Sequence, residues 1–169
     1  MSDPRSNLSL SNPWHLLATG FGSGLSPIVP GTMGTLASVP FYLMLAQLPL
    51  TLYAVVVVFA SLIGIKICQV TSDDMQVHDH GSIVWDEFAG FWITMLIVPL
   101  YQLPVFDWKW LVTGFVLFRF FDMLKPWPIS WLDKRVHGGF GIMIDDLVAG
   151  VIAAISLAAI GYWLEWLPV

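Results

Sequence analysis

The sequence predicts an all-α fold: a polytopic membrane bundle of about four to five membrane helices with a Gly/Pro-rich re-entrant or interfacial segment near its N-terminus. Three observations carry that expectation. Hydrophobic residues make up 57% of the chain and charged residues 11%, with a mean hydropathy of +0.76. Residues 6–65, 88–106 and 147–164 contain no Asp, Glu, Lys or Arg, and uncharged apolar runs of about 18 or more residues argue for transmembrane helices. Two pairs of adjacent acids, Asp86–Glu87 and Asp145–Asp146, stand at the edges of these runs. Paired carboxylates beside a bilayer are costly unless something compensates them, so they read as a functional site.

The elements follow from the pattern. Residues 1–12 read as a polar tail and residues 13–169 as one membrane-embedded domain, since 169 residues make at most one ordinary domain. Residues 13–35 are apolar but broken by five Gly and three Pro, and such irregular backbone is tolerated at membrane depth only where protein or water satisfies it. Residues 36–48 and 50–67 read as the first two helices. Residues 68–82 form a polar loop containing Asp73, Asp74, His78, Asp79 and His80. A third helix is expected over 83–100 and a fourth over 105–125, stopped by Pro126. Residues 126–144 read as a loop with a glycine cluster, and 145–164 as the last helix. Both acid pairs then fall in the first turn of a membrane helix.

Composition narrows the function. A single cysteine, Cys68, excludes an internal disulfide and any Cys-based zinc site. A net charge of −5 with no basic patch argues against nucleic acid. The N-terminus has one Arg and early prolines but no compact apolar core ending in a cleavage site, so no removable signal peptide is expected. With five crossings and the N-terminus inside, Arg5, Lys66, Arg119, Lys125, Lys134 and Arg135 lie on the inner side and only Lys109 outside. The positive-inside rule therefore puts nearly all the ionisable chemistry on the cytosolic face.

Four motifs carry the chemistry. The acid pairs repeat each other: residues 83–88 read Ile-Val-Trp-Asp-Glu-Phe and 142–147 read Ile-Met-Ile-Asp-Asp-Leu. One acid would suffice as a helix cap; a second beside it adds repulsion unless a cation lies between them. Oxygen ligands suit Mg²⁺, which meets substrate phosphate. Asp86, Glu87, Asp145 and Asp146 are the expected metal ligands, with Asp122 and Asp74 next; within the polar loop Asp74 and Asp79 are better candidates than Asp73 or the histidines because that loop runs into Asp86. In Arg119-Phe-Phe-Asp122-Met-Leu-Lys125-Pro126, spacing of three aligns Arg119, Asp122 and Lys125 on one helix face. Arg119 and Lys125 are expected to hold phosphate, and Asp122 and Asp86 to serve the reaction as ligand, base or nucleophile. In Ser26-Pro-Ile-Val-Pro30-Gly31-Thr32-Met-Gly34-Thr35, Gly31 and Thr32 offer backbone N–H groups and a hydroxyl to an anion.

Together these motifs resemble the phosphatidylglycerophosphatase A family of bacterial inner-membrane lipid phosphatases. The likeness runs from Asn12-Pro-Trp-His-Leu-Leu to about residue 155. It is carried by Gly22-Ser-Gly-Leu-Ser-Pro-Ile-Val-Pro-Gly-Thr-Met-Gly, His78-Asp-His-Gly-Ser-Ile-Val-Trp-Asp-Glu, Arg119-x-x-Asp122-x-x-Lys125-Pro-x-Pro128 and Gly141-Ile-Met-Ile-Asp-Asp. The resemblance implies Mg²⁺-dependent hydrolysis of phosphatidylglycerophosphate to phosphatidylglycerol on the cytosolic face of the inner membrane. Water is the expected nucleophile, because Cys68 lies in an apolar run and no Ser–His pair is evident. An aspartyl-phosphate intermediate through Asp86 or Asp122 stays open. Two other readings compete. A CDP-alcohol phosphotransferase also uses Asp-held metal, but its long glycine–aspartate signature is absent. A small cation transporter would place its acids near mid-bilayer on broken helices. The sequence leaves the oligomeric state open.

Overall fold

The computed structural model describes residues 4–167, so the first three residues of the expected tail lie outside the described residues. All regular structure among them is helical: α1 (Pro13–Ala18), α2 (Pro30–Leu45), α3 (Leu50–Met75), α4 (Trp85–Thr94), α5 (Ile97–Leu100), α6 (Trp108–Leu124), α7 (Ile129–Arg135) and α8 (Gly138–Trp163), with short 3₁₀ turns at Pro4–Asn7 and Ser23–Leu25. Two helices, α3 and α8, are long and apolar enough to cross a membrane, with mean hydropathies of 2.3 and 2.0.

The helix expected over 83–100 is broken into α4 and α5, the stretch 126–144 read as loop holds α7, and three boundaries move. Helix α2 begins at Pro30 rather than 36 and takes Pro-Gly-Thr as its first turn, because a proline at the first helical position loses no hydrogen bond. Helix α3 runs past its apolar stretch to Met75, since Ile67, Cys68, Thr71, Ser72 and Met75 continue its buried face. The third correction concerns the second acid pair. Helix α8 starts at Gly138, so Asp145 and Asp146 lie two turns inside it rather than in its first turn. The glycines that read as a loop are contact points. A Cβ on Gly139 would strike the Ile65 carbonyl and come within 2.7 Å of the Gln69 nitrogen, and one on Gly141 would strike the Val136 carbonyl. Small residues let helix backbones approach.

Helix α4 lies at the centre, and every residue from Trp85 to Trp92 is buried. Its aromatics tie it to the flanking helices. Trp85 Nε1 donates to the Ala60 carbonyl at 3.1 Å, Trp92 Nε1 to that of Ser38 at 3.2 Å, and Tyr53 Oη to that of Trp92 at 2.6 Å. Against α8 the contact is backbone to backbone. A Cβ on Gly150 would strike the Gly90 carbonyl, and one on Gly90 would lie 2.7 Å from that of Asp146. Thr94 Oγ1 reaches both the Gly90 and Gly150 carbonyls, at 3.0 and 3.3 Å. The outward faces of α3, α6 and α8 are apolar, with Phe59, Leu62, Val116 and Ile155 each more than half exposed.

Candidate metal and phosphate site

One end of the bundle gathers the ionisable groups. A pocket of about 280 Å³ is lined by Pro30 and Gly31 of α2, Asp79, Gly81 and Ile83 of the α3–α4 connection, Asp86 and Glu87 of α4, Arg119, Asp122, Met123 and Lys125 at the end of α6, and Asp145 and Asp146 of α8. The acid pairs meet because Gly90 and Gly150 bring α4 and α8 into contact below them. Asp86 and Glu87 occupy the first turn of α4 as expected.

The four paired acids are deeply buried, Asp86 and Glu87 at 7% and 8% exposure and Asp145 and Asp146 at 4% and 3%. Asp86, Glu87 and Asp146 each direct an oxygen into a group whose members lie within 4.8 Å of one another. Asp86 Oδ1, Glu87 Oε2, Asp145 Oδ1 and Asp146 Oδ2 have no hydrogen-bond partner among the described residues. Two ionised carboxylates 4.8 Å apart repel by about 3.5 kcal/mol at an effective dielectric of 20. Three such pairs approach the whole stability of an ordinary domain, roughly 5–15 kcal/mol. The group therefore requires protons or a cation, and a hard divalent ion takes oxygen ligands of this kind. The donor set fits Mg²⁺.

The cations sit at the rim of this group. Arg119 is paired with Asp122 and lies 3.6 Å from Glu87 Oε1. Its Nη1 donates to Thr35 Oγ1 at 3.5 Å, while its Nε has no partner among the described residues. Lys125 caps α6 in the left-handed region at φ 43°, which turns its chain back toward the pocket. Its ammonium pairs with Asp133 of α7 and donates to Asp145 Oδ2 at 2.6 Å. Burial alone would lower its pKa, but the bonds to Asp133 and Asp145 prevail and hold it well above the ordinary lysine value. Lys125 therefore stays cationic. Gly31 contributes space: a Cβ there would strike Glu87 Oε1 and lie 3.0 Å from Arg119 Nη2.

Not every expected residue comes here. Asp74 lies away from the pocket. His15 Nδ1 accepts from the Ser9 N–H at 3.0 Å, so its proton sits on Nε2 and is donated to Asp74 Oδ2 at 2.9 Å. That bond ties α1 to the end of α3. Asp79 takes the place expected of Asp74, held in the left-handed region at φ 49°. Thr32 lines a neighbouring apolar groove rather than the carboxylate pocket. His78 accepts from the Gly138 N–H at 2.9 Å and contacts the His137 ring. Asp133 is the functional neighbour that sequence reasoning missed. Its only signal is an acid eight residues after Lys125 in a stretch read as loop.

A model of the family described as Phosphatidylglycerophosphatase A matches residues 16–161. The chain is 60% identical over 158 residues to Phosphatidylglycerophosphatase A of Escherichia coli (strain K12), covering 94% of this chain and 89% of that protein. It is 46% identical over 164 residues to Phosphatidylglycerophosphatase A of Haemophilus influenzae, covering 96% of this chain and 98% of that one. No solved structure matches it.

Proposed function

The chain belongs to the phosphatidylglycerophosphatase A family and is a phosphatase, and on that premise we propose that it hydrolyses phosphatidylglycerophosphate to phosphatidylglycerol and phosphate with Mg²⁺ held by Asp86, Glu87 and Asp146. The observation that carries this reading is one pocket holding three close carboxylates with unpartnered oxygens beside Arg119 and Lys125. The lining has six carboxylates and two cations, an excess of four negative charges if all are ionised. A phosphate monoester adds more, so a bound divalent ion is needed to admit it. When bound, Mg²⁺ neutralises phosphate charge and polarises a phosphoryl oxygen.

The chain's own residues do the rest. Asp122 fixes the Arg119 guanidinium, and the unpartnered Nε faces no competing acceptor. Asp145 and Asp133 hold Lys125 as a second fixed charge. Both cations stabilise the negative charge that develops on the transferring phosphoryl oxygens. Water is the nucleophile in this reading, because no Ser, Thr, Cys or His is among the lining residues. Asp86 takes its proton. It does so with the oxygen that does not hold the metal, since among the described residues Asp86, unlike Asp122 and Asp145, makes no ion pair with Arg119 or Lys125.

The same end of the bundle lies at the cytosolic face of the inner membrane in this reading. The first turns of α2 and α4, the last turns of α6 and the connection after α3 all meet at the pocket. Helices α2, α3, α4–α5, α6 and α8 therefore run alternately away from it and toward it. That order supports five crossings with the N-terminus inside. Phosphate release from phosphatidylglycerophosphate in detergent micelles tests the function. We expect release with Mg²⁺, loss with EDTA and recovery on adding Mg²⁺ back. Undiminished release in EDTA would remove the metal, and no release in any condition would remove the substrate.

A further inference from the structure

We propose that the apolar groove between α2 and α6 holds an acyl chain of the lipid substrate, an inference that rests on the phosphatase reading above. The groove measures about 350 Å³ and is lined by Thr32 of α2 and by Phe115, Val116, Phe120 and Leu124 of α6. Arg119 and Met123 complete it, and both also line the carboxylate pocket. The two cavities therefore adjoin across Arg119 and Met123. The Arg119 guanidinium pairs with Asp122 and lies beside Glu87, so one amphipathic side chain borders both the acids and the apolar groove.

That adjacency decides between two grooves. A second apolar groove of about 320 Å³, lined by residues such as Ala54, Val58, Leu62 and Ile93, shares no lining residue with the carboxylate pocket. A two-chain phosphomonoester must present its phosphate to Arg119 while its tails remain in hydrocarbon. The α2–α6 groove meets both demands at once. Its lining residues Val116, Phe120 and Met123, and Val112 one turn before them, are at least half exposed, and their spacing places them on one face of α6. From 112 to 123 the helix rises roughly 16 Å, about half of the 30 Å hydrocarbon core and so about one leaflet. The occupant is thus a fatty acyl chain of the leaflet that presents the phosphate.

Two measurements on the full-length protein test this. In the first, phosphatidylglycerophosphate with a diazirine on one acyl chain is photolysed in phospholipid vesicles containing the wild-type protein, and adducts are mapped by mass spectrometry. Adducts on Phe115, Val116 or Phe120 support the groove; adducts confined to Ala54, Val58 or Leu62 overturn it. In the second, Val116→Trp fills the groove from an exposed position, and Val58→Trp fills the other. Val116→Trp should raise KM for the long-chain lipid at least about tenfold, the loss expected when two methylenes leave an apolar contact. Hydrolysis of the deacylated head group should be unchanged, as should both substrates with Val58→Trp. Unchanged long-chain KM in Val116→Trp overturns the groove. A wild type that cross-links in the groove yet releases phosphate from neither substrate overturns the phosphatase reading instead.

Discussion

Replacing Asp86 or Asp146 with Asn takes one negative charge out of a pocket with four more anions than cations when all are ionised. The two consequences have opposite signs. Phosphate release should fall by at least about a hundredfold, the usual scale for losing one group that organises transition-state charge. In EDTA, however, Asp146→Asn should melt at a higher temperature than wild type, because the amide relieves repulsion among buried carboxylates. Wild type should gain thermal stability on adding Mg²⁺, as a ligand that binds only the folded state requires, and the variant should gain much less. Thermal unfolding in detergent reads both effects, and equal Mg²⁺ stabilisation of wild type and variant would remove Asp146 from the ligand set. Lys125 obeys a different rule. Its folded pKa is raised, so its stabilising contribution is fully present below the unfolded value of about 10.4 and is lost only as pH rises through the higher folded value. Its charge should not limit activity between pH 6 and 9, about the range of a routine profile well below that unfolded value. Asp133→Asn should loosen Lys125 and lower kcat and kcat/KM severalfold, because Lys125 acts on charge that develops in the transition state, while Asp133→Glu restores both. An unchanged kcat in Asp133→Asn, measured in the same assay, would show that Asp133 does not position Lys125 for the reaction.

At the scale of elements, the site depends on how closely α4 and α8 approach. Gly150→Ala places a methyl against the Gly90 carbonyl, where backbone cannot yield as a flexible side chain would. Overpacking of this kind costs about 1–3 kcal/mol. We expect a lower melting temperature in detergent and reduced phosphate release, since Asp146 moves with its helix. Gly22→Ala is a useful contrast, because a Cβ there meets only Leu10 at 3.8 Å and the cost is confined to its φ of +92°. Comparable activity in Gly150→Ala and wild type would show that α4–α8 spacing does not set the carboxylate geometry. The acid pairs and the Arg119-Asp122-Lys125 face were legible in the sequence because charge is conspicuous in an apolar chain. The depth of Asp145 and Asp146 in α8 was not. Gly138, Gly139 and Gly141 carry the same letters whether they break a helix or admit a neighbouring one, and only the Ile65 and Val136 carbonyls beside them distinguish the cases. Asp74 and Asp79 were likewise interchangeable in sequence. The buried His15 ring claims Asp74 from 59 positions away, a pairing that no local spacing encodes.

For the whole molecule, the orientation proposed above is tested by the aromatic and charged residues at the two ends of the bundle. The site end carries Arg119, Lys125, Lys134 and Arg135 near the pocket and around α7, with Arg135 over the Trp131 ring at 5.2 Å. The far end joins the start of α6 to the end of α8. There Trp110 and Trp166 stack edge to face at 5.5 Å, and Lys109 lies 5.4 Å over the Trp166 ring. Trp127 at the first end and Trp163 at the second are 79% and 83% exposed, as side chains in interfacial belts are. The excess of Lys and Arg at the site end argues for the cytosol there. Helix α8, at roughly 39 Å, is long enough to cross and carry its C-terminal aromatics to the opposite interface. Cys68 is fully buried, so single cysteines can be introduced against a quiet background. In intact spheroplasts, a membrane-impermeant maleimide should label Trp163→Cys and spare Trp127→Cys, and permeabilisation should expose both. Labelling of Trp127→Cys in sealed cells would turn the bundle over and put the carboxylates outside. Labelling of both would mean that α8 lies along the surface rather than across the bilayer.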